Sequence, residues 1–116
     1  MITAVVLYDL PPGFGLDECR AHFGKIAPDF LKIPGFVRKQ FICSSDGTTA
    51  GGVYMWKNRA SAERFYSGPW RQGIIERYGN PPRIQYFETV ALADSATAFA
   101  GALSSLSDRP LPAPAK

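Results

Sequence analysis

Residues 46–66 read DGTTAGGVYMWKNRASAERFY, and this stretch contains a turn, a strand and the start of a helix in direct succession. Asp46-Gly47 is typical of a turn, because glycine adopts positive φ at no steric cost. The β-branched and aromatic run 53–56 predicts a strand, and the glycine pair before it allows a bulge or a close approach of another backbone. Residues 59–66 are helix-forming, and Asn58 is suited to be their N-cap. The stretch therefore predicts a strand followed directly by a helix.

Hydrophobic periodicity elsewhere predicts three more strands and two more helical segments. These are a strand at 2–9, a helix from Leu16 that Pro28 kinks or divides, a strand at 36–43, a short helix from Pro69 to residue 77 or 78, and a strand at 83–92. The order βαββαβ is that of the ferredoxin-like α+β fold. In that fold a four-stranded antiparallel sheet carries the helices on one face.

Alternation within strand 36–43 predicts which side chains share a face of the sheet. One face carries Phe36, Arg38, Gln40 and Ile42, and the other carries Val37, Lys39, Phe41 and Cys43. Since both faces of the predicted strands are substantially apolar, the face without helices needs a cover. We expect a second copy of the chain to supply it, which makes the protein a homodimer.

The composition is that of one globular domain. The chain has 116 residues, of which 46% are hydrophobic and 20% charged, enough for one modest core. We place the ferredoxin-like domain at residues 1–94 and an Ala/Ser/Pro-rich tail at residues 95–116. Within that tail, residues 96–106 favour a weak helix, and residues 109–116 are Pro-rich and expected to be mobile.

Charge and hydropathy exclude several classes of partner. The formal charge of +3 comes from scattered basic residues without a stripe, so we expect no nucleic-acid partner. No apolar run approaches the roughly 18 residues of a membrane span, and the first residues do not form a signal peptide. We therefore expect a cytoplasmic protein without a membrane partner.

Motifs for cofactors and metals are missing from the sequence. No Gly-rich nucleotide motif follows a strand, and the single histidine has no Cys or carboxylate at a recognised ligand spacing. Cys19 and Cys43 are far apart and are expected to be buried thiols. We predict neither a cofactor nor a metal ion.

Three segments carry a resemblance to a known family: LYDLPPG at 7–13, IPGFVRKQF at 33–41 and the stretch at 46–66. Together they resemble the small mono-oxygenases of the dimeric α+β barrel superfamily, which are related to the antibiotic-biosynthesis monooxygenases. The similarity covers roughly residues 2–90. It implies a ferredoxin-like protomer, a dimer of facing sheets, and a cavity between sheet and helices in each protomer.

The resemblance also implies a reaction. Cofactor-independent members oxidise phenolic or quinol-like compounds, whose deprotonated, electron-rich rings react with O₂ directly. The protein then contributes a dry pocket, a base and hydrogen bonds to the anion. Two other functions stay open: a non-catalytic dimer that binds a small ligand, and an isomerase of the muconolactone type.

His22 and Arg38 are the candidate catalytic residues. His22 lies about 60° from Cys19 on the helical wheel, at the edge of the apolar stripe, where it is either a general base or a half-buried, solvated side chain. Arg38 either stabilises a phenolate or forms a solvated or ion-paired part of its strand. The candidate substrate-binding residues, for which the alternative is ordinary core packing, are Tyr8, Tyr54, Trp56, Phe65, Tyr66 and Trp70.

Overall fold

The computed structural model describes residues 1–103. In chain order its elements are β1 (Ile2–Asp9), α1 (Leu16–Ile26), a 3-10 segment (Ala27–Lys32), β2 (Phe36–Cys43), β3 (Thr49–Trp56), α2 (Arg59–Tyr66), α3 (Pro69–Tyr78), β4 (Arg83–Glu88), β5 (Ala91–Asp94) and β6 (Phe99–Ala102). The observed bounds of β1, β2, α2 and α3 confirm those predicted from the sequence.

Four strands form one sheet in the order β2-β3-β1-β4. β1 is central, and its Ala4 lies opposite Tyr54 of β3 on one side and Tyr86 of β4 on the other. All three strand pairs are antiparallel. Since helices lie between β1 and β2 and again between β3 and β4, the topology is the predicted ferredoxin-like α+β fold.

The helices cover one face of this sheet. β1 alternates strictly, so that Ile2, Ala4, Val6 and Tyr8 are buried under the helices. The buried residues that the helices contribute are Cys19 and Phe23 from α1, Ala62 and Tyr66 from α2, and Tyr78 from α3. The two cysteines are free thiols.

A β-bulge corrects the predicted faces of β2. The register of β2 against β3 shifts between Phe36 and Arg38. An extra residue at this point turns the preceding side chain to the opposite face. Phe36 therefore packs against Phe30 and Trp56 on the helix side, rather than sharing a face with Arg38.

The helix ends follow from local chemistry. Asn58 caps α2 as predicted, because its Oδ1 accepts a hydrogen bond from the backbone N–H of Ser61 at 2.8 Å. α3 ends at Gly79, which adopts the left-handed conformation with φ of 84°. The first helix is divided as Pro28 predicted, since α1 gives way to the 3-10 segment at Ala27.

The predicted strand 83–92 is two strands. β4 ends at Glu88, and the chain then enters an antiparallel hairpin in which β5 pairs with β6. The predicted weak helix is wrong where the structure describes it, because residues 99–102 form β6. The carboxylate of Asp94 accepts the backbone N–H of Ala96 at 2.9 Å, which favours a turn over a helix at this point. The Pro-rich segment 109–116 lies outside the described residues.

The face of the sheet opposite the helices is less protected. Thr3, Val5 and Leu7 of β1 are half-buried there. Phe87 on β4 is 46% exposed, and Val90 just after β4 is 72% exposed. No helix among residues 1–103 is long and apolar enough to cross a membrane.

Candidate functional site

A cavity of about 230 Å³ lies between the sheet and the helices α1 and α3. The sheet contributes Tyr8, Lys39 and Tyr54 to its lining. The helices contribute His22, Trp70, Arg77 and Tyr78. The remaining lining residues are apolar or glycine, so the ionisable groups of this cavity are basic or phenolic and none is a carboxylate.

Lys39 reaches the cavity from β2 because the glycine pair of β3 leaves room for it. A Cβ on Gly52 would lie 2.5 Å from Cε of Lys39, so a larger residue at position 52 would require the lysine chain to move. A Cβ on Gly51 would collide with the backbone oxygen of Val6 in β1. These contacts confirm the close approach that the sequence predicted for the two glycines.

The ammonium nitrogen of Lys39 is surrounded by aromatic rings. Its Nζ lies 3.7 Å from the ring centroid of Phe41, 4.1 Å from that of Phe30 and 4.4 Å from that of Tyr54. Ring faces attract a cation, whereas the loss of water disfavours it. Burial is the larger effect and lowers the pKa of Lys39 to about 7.

His22 lies where α1 meets the cavity and is half-buried. Burial lowers its pKa, and the positive charges of Arg77, Lys25 and Lys39 lower it further. An imidazole in this position is neutral at pH 7 and therefore able to accept a proton. The predicted place of His22 at the edge of the apolar stripe of α1 agrees with its half-buried position.

Phenol groups form the wall of the cavity opposite α1. The rings of Tyr8 and Tyr78 are stacked with their centroids 4.6 Å apart. Burial raises the pKa of Tyr8, Tyr54 and Tyr78 above the ordinary value for tyrosine. These hydroxyls therefore stay protonated near neutral pH and are able to donate hydrogen bonds.

Of the other candidate aromatic residues, Trp56 and Tyr66 belong to the core. Trp56 is fully buried, and its Nε1–H donates a hydrogen bond to the hydroxyl of Tyr66 at 3.1 Å. Neither side chain lines the cavity. Both pack against Phe65, which, like Trp70, lines a second, more open groove beside α2.

Arg38 lies away from His22. Because neighbouring strand residues point to opposite faces, Arg38 projects from the face of the sheet opposite to that of Lys39. There its guanidinium forms an ion pair with Asp94 of β5, with Nη1 and Oδ2 2.5 Å apart. The structure thus separates the two candidate catalytic residues by the thickness of the sheet.

The sequence-based prediction missed Lys39, Arg77 and Tyr78 as lining residues. The signal for Lys39 was present, since alternation placed it on the face opposite Arg38, together with Phe41. The signal for α3 was also present, because Arg77 and Tyr78 follow Trp70 and Ile74 at helical spacings. The sequence did not indicate that β2 and α3 lie close enough in space to line the same cavity.

The structure resembles solved monooxygenases. A monooxygenase of Streptomyces coelicolor from the gene ActVA-Orf6, in complex with Nanaomycin D, matches with a TM-score of 0.58 at 19% identity, over 74% of this chain and 84% of that chain. SnoaB, a cofactor-independent oxygenase from Streptomyces nogalater, matches with a TM-score of 0.56 at 16% identity, over 76% of this chain and 90% of that chain. A "Putative antibiotic biosynthesis monooxygenase" from Bordetella bronchiseptica matches with a TM-score of 0.61 at 18% identity, over 77% of this chain and 96% of that chain.

The fold is therefore the ferredoxin-like α+β fold of the antibiotic biosynthesis monooxygenases. Within that class, the chain belongs to the ydhR mono-oxygenase family, because the family model described as "Putative mono-oxygenase ydhR" matches residues 9–100. This confirms the resemblance noted in the sequence. No curated protein matches the chain.

Proposed function

We propose that this protein is a cofactor-independent mono-oxygenase that acts on a small phenolic or quinol-like compound in the cavity beneath α1 and α3. The observation that carries the proposal is the lining of that cavity. Aromatic rings form its walls, and its ionisable groups are basic or phenolic. None of the described residues that line it is a carboxylate. Such a lining favours a flat ligand that becomes an anion.

The cavity volume limits the size of the substrate. A dry cavity of about 150 Å³ accommodates benzene, so about 230 Å³ suits one substituted ring or a compact pair of fused rings. Hydroquinones and two-ring phenols are therefore better candidates than the three-ring anthrones or larger polycyclic compounds.

In the proposed reaction, a basic side chain of the lining accepts the proton of the substrate as general base, and the resulting anion reacts with O₂. A substrate whose keto form carries a CH₂ group opposite the carbonyl loses a proton to give the phenolate, and it gains one oxygen atom at that carbon as a second carbonyl. Its two hydrogen atoms leave with the other oxygen atom as water, so no external reductant is needed. The protonated hydroxyls of Tyr8 and Tyr78 supply hydrogen bonds to the oxygen atoms of the substrate, and the apolar walls exclude water.

Oxygen consumption by the purified protein tests this function. The panel consists of hydroquinones, two-ring phenols and anthrones, and the variant is His22→Ala. Arg20→Ala is the matched control, because Arg20 lies on the same helix and is exposed, paired only with Asp17. We expect the wild-type protein and the control to consume oxygen with at least one compound of the panel, and consumption to fall in the variant that removes the His22 side chain from the cavity lining. Ligand binding without any oxygen consumption would instead support a non-catalytic binding protein.

We also propose that the protein is a homodimer through the open face of the sheet. Half-buried Val5 and Leu7 and the exposed ring of Phe87 support this, since a sheet face without helices needs a cover. Light scattering in solution should give twice the monomer mass of 12.7 kDa. A single species at the monomer mass would refute the dimer.

A further inference from the structure

Lys39 is a cation without a partner in the described part of the chain. Burial is the only cause that shifts its pKa, and no carboxylate acts on it. Its three nearest groups are ring faces, which attract a cation but do not neutralise it. A buried charge normally has a counter-ion, so the empty space beside Nζ is suited to an anion.

The other titratable groups around the cavity do not supply that anion. Tyr8 on β1 and Tyr54 on β3 face it from the sheet, and His22 faces it from α1. Arg77 and Tyr78 face it from α3. The phenols are held in their protonated form by burial, and the remaining groups are basic. The missing negative charge must therefore come from the ligand.

We propose that Lys39, rather than His22, takes the proton of a phenolic ligand and holds the resulting phenolate beside its ammonium group. In this step the lone pair of Nζ forms a new N–H bond, the O–H bond of the ligand breaks, and the bond electrons stay on the phenolic oxygen. The net charge of the cavity does not change. This inference rests on the proposed function for its ligand class, and it assigns the base of that reaction.

Three properties favour Lys39 over His22. Both side chains are half-buried, but Nζ of Lys39 lies among three ring faces, whereas His22 is subject to the positive charges of Arg77, Lys25 and Lys39. The pKa of Lys39, about 7, stays above that of His22, which is lowered from 6.5, so Lys39 is the stronger base of the two in this cavity. After proton transfer, the ammonium and the phenolate neutralise each other where little water screens them, which makes their attraction strong. Burial that lowers the pKa of Lys39 to about 7 leaves the amine largely neutral above that pH, ready to accept the proton.

Ionisation of bound 4-nitrophenol tests the inference without any need for oxygen. Its phenolate absorbs visible light and its neutral form does not, so the spectrum reports the charge of the bound ligand. We expect the wild-type protein to lower the pH at which the bound ligand ionises by about one unit or more, a tenfold effect. Lys39→Met should abolish this shift. Lys57→Met, an exposed lysine just after β3, should keep it.

A second variant covers the case in which Lys39→Met fails to fold. Lys39→Arg keeps the positive charge but cannot accept a proton. Calorimetric binding of unsubstituted phenol at pH 8, measured in two buffers that differ in ionisation enthalpy, counts the protons released. The arginine variant should release protons to the buffer when phenol binds as phenolate, because the guanidinium holds the anion without taking its proton. The wild-type protein should release clearly fewer.

The following outcomes would overturn the inference: no binding of 4-nitrophenol, a bound ligand in its neutral form, the same spectral shift in Lys39→Met, or equal proton release by wild type and Lys39→Arg. Failure of the proposed function looks different. Ionisation that depends on Lys39, without oxygen consumption, would support this inference and refute the oxygenase.

Discussion

Gly52 lies directly beneath the side chain of Lys39, and a Cβ at position 52 would come within 2.5 Å of Cε of the lysine. The same Cβ would lie 3.0 Å from Cε1 of Tyr54, one of the rings around the ammonium group. The glycine of one strand thus determines where the amine of the neighbouring strand is placed. This relationship connects a backbone feature that is visible in the sequence to the chemistry of the cavity.

Substituting Gly52→Ala should therefore displace Lys39 from its rings. We expect a loss of stability of about 1–3 kcal/mol from overpacking, together with loss of the ionisation shift of 4-nitrophenol. Urea unfolding and the ligand spectrum measure the two effects. Gly24→Ala is the control, because no atom lies within 4 Å of its added Cβ on α1, and alanine there should stabilise the protein by up to about 1 kcal/mol. A Gly52→Ala protein that still ionises 4-nitrophenol would contradict the role of this glycine.

The burial of Lys39 predicts a specific pH dependence of stability. Burial lowers its pKa from 10.5 to about 7, so between these values the unfolded chain binds more protons at this residue than the native state does. The free energy of unfolding contributed by Lys39 therefore rises with pH in this window, by at most about 1.4 kcal/mol per pH unit. The Lys39→Met variant lacks this pH-dependent contribution to the free energy of unfolding.

Urea unfolding of wild type and Lys39→Met between pH 6 and pH 9 checks this prediction. The variant should be the more stable protein at pH 6, where the buried charge is fully present in the wild type, and its advantage should shrink as the pH rises. Lys57→Met should show no such trend. A constant difference between wild type and Lys39→Met across the range would refute the lowered pKa.

The hydrogen bond between Trp56 and Tyr66 joins β3 to α2 inside the core. Tyr66→Phe leaves the buried indole N–H without its acceptor, which should cost about 1–3 kcal/mol. Tyr86→Phe is the matched control, since its ring is only half-buried and its hydroxyl forms no side-chain hydrogen bond within residues 1–103. Equal losses in the two variants, measured by thermal or urea unfolding, would show that the bond contributes nothing specific.

The ion pair between Arg38 and Asp94 should stabilise the β5–β6 hairpin and not the cavity. Its side chains are 38% and 16% exposed, so we expect a coupling energy of about 1 kcal/mol or less. Arg38→Ala and Asp94→Ala should both increase cleavage of the hairpin in limited proteolysis, and the double variant should add little to either one. Ionisation of 4-nitrophenol should be unchanged. If bound 4-nitrophenol no longer ionises in the Arg38→Ala variant, Arg38 contributes to the cavity site and this prediction is wrong.

Most of the fold was predictable because each element has a strong local signal. Helical spacing, the Asn58 cap and the proline and glycine breaks gave correct bounds for the elements named above. The exceptions are the start of β3, which lies at Thr49 rather than at residue 53, and residues 89–102, where small residues such as Ala and Ser carry little hydrophobic pattern. There the carboxylate of Asp94 accepts the backbone N–H of Ala96 and β5 pairs with β6, which gives a hairpin in place of the predicted helix.

The site was predictable only in part. Alternation along β2 assigned Arg38 and Lys39 to opposite faces, but not which of these faces lies under the helices. The bulge after Phe36 also turns the side chain of Phe36 to the face opposite the one that alternation predicted. In the structure His22, Tyr8 and Tyr54 line one cavity, whereas Trp56 and Tyr66 pack in the core.

The sequence by itself determined the order of the elements, the family and the position of the glycine pair in β3, because propensity, periodicity and turn chemistry act over a few neighbouring residues. Only the tertiary structure decided that Lys39 is the partly desolvated amine of the cavity and that Arg38 pairs with Asp94. Desolvation and ion pairing depend on groups that are distant in the chain and meet only when the helices pack on the sheet. For that reason the pattern of residues could indicate a pocket, while the packing determined which amine lies inside it.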